Sequence, residues 1–150
     1  MEIIEYFSDS RKEHWLGQIA GAKWVPAVYL SQLLSNIESF ERNLGTGGRV
    51  FMLTDGDRLV SFAALTRQDS IKDESLYPWI GYVFTFPEYR GNRYSQKLID
   101  YMEEQAKQEG HSHVYIATKH VGLYEKFGYE YVDSQLDEWR TETRIYTKEL

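Results

Sequence analysis

Two stretches of this chain pair residue types that do chemistry together. In the first, a β-rich segment, Ile80 to Phe86, runs into Pro87-Glu88-Tyr89-Arg90-Gly91-Asn92-Arg93-Tyr94-Ser95, which opens a strongly amphipathic helix. A strand that feeds a polar, glycine-containing turn at a helix N-terminus aims several backbone N–H groups at one point, where the helix dipole favours an anion. Gly91 lets the backbone approach a ligand closely, and Arg90 and Arg93 add positive charge. The second stretch, Leu123-Tyr124-Glu125-Lys126-Phe127-Gly128-Tyr129, follows an apolar run, His113 to Ala117, and places a tyrosine one strand and one turn beyond the helix. Together they describe a phosphate-bearing cofactor beside a proton donor. The turn alone is a weak motif, because it lacks the further glycines of a dinucleotide fingerprint or a P-loop.

The elements that must position these residues are legible from periodicity. Ile3 to Phe7 reads as a first strand, and Arg11 to Trp24 as a helix broken near Gly21. Pro26 suits the first turn of a helix whose face carries Tyr29, Leu33, Ile37, Phe40 and Leu44 and which ends at Gly45. Asp55-Gly56 is a two-residue hairpin signal between strands Arg49 to Thr54 and Arg58 to Leu65. Leu76 to Phe86 reads as the fourth strand. Tyr94, Leu98, Ile99, Met102 and Ala106 form one stripe of a helix that stops at Gly110, and His113 to Ala117 is the fifth strand. A short helix spans Leu123 to Phe127, Tyr129 to Asp133 begins another strand, and the alternation of Trp139, Thr141, Thr143, Ile145 and Thr147 predicts a closing strand. Strands four and five, joined by a crossover helix, must be parallel neighbours.

Composition bounds the function. The 150 residues, 42% hydrophobic and 15% aromatic, fit one packed α/β domain over 1–150. A net charge of −6 disfavours nucleic acid as a partner, since backbone phosphates need clustered Lys and Arg. No apolar run of membrane length and no signal-peptide core are visible, so the expectation is a cytoplasmic protein with no membrane partner. The absence of cysteine excludes a disulfide, a thiolate zinc site and a thioester on the protein itself. His14, His111 and His113 show no metal-ligand spacing, and the reading requires no metal.

The turn from Pro87 to Ser95 resembles the acetyl-CoA-binding loop of the GNAT N-acetyltransferases, whose pattern is Gln or Arg, two variable residues, Gly or Ala, one variable residue, then Gly or Ala. Arg90 matches the first position, Arg93 stands where glycine is expected, and Ser95 is the small last residue. Leu123 to Tyr129 is similar to a later motif of that family, and the element order fits along nearly the whole chain. The resemblance implies a mixed, mostly antiparallel central sheet flanked by helices, with strands four and five splayed apart. It implies acetyl-CoA as co-substrate, its pantetheine arm along the main chain of Val83, Phe84 and Thr85, and its diphosphate on Arg90, Gly91, Asn92, Arg93, Tyr94 and Ser95. Because a Cβ restricts positive φ, Arg93 is expected to be helical or bridging.

The implied activity is direct acetyl transfer to a primary amine of a small molecule or peptide, in a ternary complex. The alternative is a CoA-binding regulatory module without catalysis; a homodimer is open in either case. Tyr124 is implied as the acid that protonates the departing sulfur, and a phenol with pKa near 10 is protonated at neutral pH. Val83 or Phe84 N–H is the natural oxyanion donor. Some members carry a strand-four glutamate as base, but the matching position is Trp79, which leaves Asp73, Glu74, His120 or water. Trp24, Tyr29, Tyr77, Trp79 and Trp139 are candidates for an aromatic wall around the amine.

Overall fold

The computed structural model describes residues 1–150 as a seven-stranded sheet in the order β1-β2-β3-β4-β5-β7-β6. Its strands are β1 (Glu2–Glu5), β2 (Arg49–Asp55), β3 (Arg58–Thr66), β4 (Trp79–Thr85), β5 (His113–Thr118), β6 (Glu130–Leu136) and β7 (Glu142–Glu149). Every neighbouring pair is antiparallel except β4 and β5. The helices are α1 (Lys12–Ala20), α2 (Val25–Leu34), α3 (Ile37–Leu44) and α4 (Tyr94–Gln108).

The two faces of the sheet bury different sets of side chains. On one face Trp15, Ile19, Leu30 and Phe40 of α1–α3 pack on Val50, Met52 and Phe62. On the other, the stripe Leu98, Ile99, Met102 and Ala106 of α4 packs on Val60, Ile80, Val114 and Ile116. That stripe has the three-and-four spacing that predicted it, and each large side chain so buried contributes about 1.5–3 kcal/mol.

The structure corrects four boundaries. The helix predicted from Pro26 to Leu44 is two, because Asn36 leaves helical geometry and its side chain accepts from the N–H groups of Glu38 and Ser39 at 3.0 and 3.4 Å, starting α3 afresh. The first strand ends at Glu5 and turns into one turn of 3₁₀ helix at Tyr6–Ser8, because the Glu5 carboxylate accepts from Phe7 N–H. Strand β4 begins at Trp79 rather than Leu76. Strand β7 begins at Glu142, and Trp139 lies in the preceding turn, where its N–H donates to Asp137 at 3.0 Å.

Two features of β4 set up the site. First, β4 and β5 are registered at a single pair, Trp79 with Tyr115, beside the hydrogen bond from Tyr115 N–H to Pro78 O at 3.0 Å; beyond it they part. Second, Phe62 faces Phe84 but Ala64 faces Gly81, so Tyr82 and Val83 together oppose Ala63 in a β-bulge. The extra residue flips the alternation. Ile80 and Val83 contact the α4 side, whereas Tyr82 and Phe84 contact the α1–α3 side.

Candidate active site

The parted strands leave two cavities along β4. The first, about 410 Å³, lies over the start of α4 and is lined by Thr85, Arg90, Gly91, Arg93, Ser95 and Lys126, among others. No side chain caps the N-terminus of α4, so its first-turn N–H groups are left for a ligand. Gly91 sits at φ 87° and Arg93 at φ 60°, ψ 31°. Arg93 is therefore left-handed, against the expectation of a helical or bridging residue: the turn keeps the backbone shape that glycine would take and imposes it on an arginine, at a cost of roughly 1–2 kcal/mol.

The other turn residues divide the work. Arg90 Nε donates to Thr85 O at 2.9 Å, and its guanidinium lies 5.4 Å over the Phe84 ring, which ties the turn to the end of β4. Asn92 donates to Tyr89 O at 3.1 Å and to Arg90 O at 3.4 Å; its side chain closes the turn and does not line the cavity. Tyr94 lines the cavity and packs on the core below α4. Ser95 shares a hydroxyl hydrogen bond of 2.7 Å with Thr85, which in turn meets Ser61 at 2.9 Å. Lys126 is a third cation at this cavity that the sequence reading passed over, although it stood inside the second motif.

The second cavity, about 310 Å³, lies where β4 and β5 part. Gly81, Tyr82 and Val83 form one side, Ile116 to His120 the other, and Trp24, Trp139 and Asp137 stand around it. Tyr82 holds φ 54° at the bulge, a conformation rare for an aromatic residue. Val83 and Thr85 thus reach one cavity each, with Phe84 between them turned into the core and stacked on Trp24 at 5.2 Å.

Tyr124 lines this second cavity from the 3₁₀ turn Tyr124–Phe127. Its ring is held edge-on by Phe127 and Tyr129, at centroid distances of 6.0 and 6.1 Å. Burial, aided by the charge of Asp69, pushes its phenol up to about 12, so the proton stays on until something more basic arrives. That is the state a general acid needs.

The candidate bases fare differently. The Asp73 carboxylate is occupied by the N–H and hydroxyl of Ser75 and by Gln135, which hold its pKa below the usual carboxylate range, and it lies outside the cavity. Glu74 is exposed on the same loop. Only His120 of the three lines the cavity. Of the aromatic candidates, Trp24 and Trp139 line it, and Tyr29 meets Trp139 edge-on at 6.3 Å. Trp79 is instead fully buried with Ile71 and Ile145, and Tyr77 packs under Arg67 at 4.0 Å, away from the cavity.

A cavity at a helix start, splayed parallel strands and a bulged β4 on a mixed sheet match an acyltransferase fold, and the sequence agrees. Residues 22–132 match the family model described as the acetyltransferase (GNAT) domain, so the chain belongs to the GNAT acetyltransferases, which use acetyl-CoA. No curated protein matches the sequence. The fold is similar to that of an aminoglycoside 6'-acetyltransferase type Ii, with TM-score 0.71, 19% identity, and 99% of this chain and 97% of that one covered. It is similar to an aminoglycoside 6'-N-acetyltransferase complexed with coenzyme A, with TM-score 0.69, 16% identity and coverage of 99% and 97%. An acetyltransferase from Streptococcus agalactiae 2603 aligns with TM-score 0.69, 20% identity and coverage of 99% and 98%. No helix is long and apolar enough to cross a membrane.

Proposed function

We propose that the protein transfers the acetyl group of acetyl-CoA directly to a primary amine carried by a small cationic molecule. The observation that carries this reading is the pair of cavities at the two ends of Val83–Thr85, the first lined by Arg90, Arg93 and Lys126 and the second by Trp24, Tyr82 and Trp139. The diphosphate rests on the N–H groups around Gly91 to Ser95, with Arg93 and Lys126 beside it. The pantetheine follows the main chain of Val83, Phe84 and Thr85, whose ladder to β5 is open. The thioester then lies between the bulge and Tyr124. A main-chain N–H at the bulge stabilises the oxyanion, and Tyr124 protonates the sulfur as it leaves.

Trp24, Trp139 and Tyr82 line this cavity with aromatic rings of the kind that hold a cation, and Asp137 lines it paired with Lys119 at 3.4 Å. Burial raises the Asp137 pKa, but the N–H groups of Thr141 and Trp139, the Thr143 hydroxyl and Lys119 outweigh it and keep the group ionised. A polyamine such as an aminoglycoside suits these walls, in keeping with the two structurally similar aminoglycoside acetyltransferases. The test is thermal shift with acetyl-CoA, expected to stabilise by about 2.7 kcal/mol at 100 times its Kd, followed by CoA release across an amine panel. No shift at millimolar acetyl-CoA sinks the reading; a shift without CoA release to any amine leaves only a binding module.

A further inference from the structure

Asp69 lies on the loop after β3 and carries one of two buried side-chain polar atoms that lack any partner, the other being Trp79 Nε1. Its Oδ1 accepts from Ser70 N–H at 2.7 Å, but Oδ2 accepts nothing. The carboxylate packs directly on Gly81: a methyl group built there would overlap Oδ2. Gly81 has ordinary strand geometry, and the positive φ of this strand falls on Tyr82. Glycine at 81 therefore makes room for a carboxylate arriving from another segment, at the position from which a β4 side chain would have projected.

Ser70 and Gly81, on either side of Asp69, both line the cavity where the strands part, and the Asp69 carboxylate stands directly behind them rather than in the lining itself. The charged and titratable groups facing the carboxylate are Lys72 and Glu138, which pair with each other at 3.7 Å, and the phenols of Tyr82 and Tyr124. Both phenols are pushed up by burial and then by the charge of Asp69, so both stay protonated and neither can take the first proton from the incoming ammonium. A purely structural carboxylate would have collected donors, because leaving a buried acceptor unpaired costs about 1–3 kcal/mol. Asparagine would fill the same volume without that ionised oxygen.

We infer that Asp69 is the proton acceptor for the incoming amine, its Oδ2 taking the N–H that the protein leaves it without. This rests on the acetyltransferase reading above. An ammonium seated against Ser70 and Gly81 gives one proton to Oδ2 and becomes a neutral amine. Its lone pair forms the C–N bond as the carbonyl π pair moves to oxygen. The oxyanion then re-forms the carbonyl and expels the sulfur with the C–S electron pair. Sulfur takes the Tyr124 proton, the second proton on nitrogen returns to the Tyr124 oxygen, and Asp69 releases its proton to solvent. The products are the amide, free CoA and one proton.

The test compares pH profiles of kcat/KM for the wild type and Asp69→Asn with the best amine of the panel. The wild type should lose activity below a limb near pH 6, where burial places the Asp69 carboxyl. Asp69→Asn should lack that limb, turn over about 10²–10⁴-fold more slowly at neutral pH, and keep its thermal shift with acetyl-CoA. Unchanged turnover, or slower turnover with the limb intact, overturns the role while the acetyltransferase reading stands. A wild type that binds acetyl-CoA but acetylates no amine removes the reading and this role with it. Carbon-13 NMR titration of Asp69 in the wild type needs no variant: a midpoint coincident with the kinetic limb supports the role, and one near 4, the ordinary aspartate value, overturns it.

Discussion

Thr85, the last residue of β4, and Ser95, in the first turn of α4, are joined hydroxyl to hydroxyl at 2.7 Å. Both residues line the first cavity, and the bond fixes the helix start against the strand along which the pantetheine would run. Ser95→Ala removes it while keeping the residue small. We expect a loss of about 1 kcal/mol of stability and weaker acetyl-CoA binding, both read from a single thermal-shift titration. Unaltered binding would mean the turn holds its shape without the bond.

Tyr124→Phe keeps the ring between Phe127 and Tyr129 and removes only the hydroxyl. The expected result is a fall in kcat of roughly 10²–10³-fold with acetyl-CoA affinity nearly unchanged. Steady-state kinetics alongside calorimetric titration with acetyl-CoA would separate the two. A full-speed variant would take Tyr124 out of the chemistry.

Arg93→Gly sets two effects against each other. Glycine accepts φ 60° without a Cβ penalty, so thermal stability should rise, by up to about 1 kcal/mol. The lost guanidinium should weaken acetyl-CoA binding by about tenfold, with a shallower salt dependence. A stabilised variant with wild-type affinity would show that this side chain points away from the phosphates.

The raised carboxyl of Asp69 makes stability depend on pH. Its pKa moves from 3.8 in the unfolded chain to about 6 in the folded one. The folded state therefore holds the proton more tightly. The resulting stability is complete below about pH 4, shrinks as the unfolded chain ionises, and is gone once the pH has passed through about 6. Denaturant titrations from pH 4 to 7.5 should show the wild type losing roughly 2 kcal/mol relative to Asp69→Asn over that window, then running parallel to it. Parallel curves throughout would place Asp69 in contact with water.

What was readable in the sequence, and what was not, divides by how far each feature depends on tertiary contacts. The stripe from Tyr94 to Ala106, the Asp55-Gly56 hairpin and the polar turn at Gly91 are local, and all three are present where periodicity and turn chemistry put them. The second helix was overextended because Ile37, Phe40 and Leu44 continue the apolar spacing of α2, which masked Asn36 as a cap. Arg93 was misjudged because the backbone preference of one residue yielded to the geometry of the whole turn. Asp69 gave no signal at all, since an aspartate between Gln68 and Ser70 reads as a solvated loop. Its burial is created by Gly81 and by the bulge that follows, and neither pattern nor propensity announces a left-handed tyrosine within a strand. Trp79 and Tyr77 illustrate the converse: aromatic residues just before the site, one absorbed by the core and the other by Arg67.

Because the bulge reverses which residues of β4 look toward which layer, the two ends of that strand obey opposite inside–outside codes. Shortening the chain by one residue between Gly81 and Phe84 would turn the bulge into regular ladder, with one residue opposite Ala63 and Phe84 still facing Phe62 and stacked on Trp24. A single deletion there would spare the core and erase the bulge, whereas a substitution at Tyr82 would alter the wall of the cavity where the strands part.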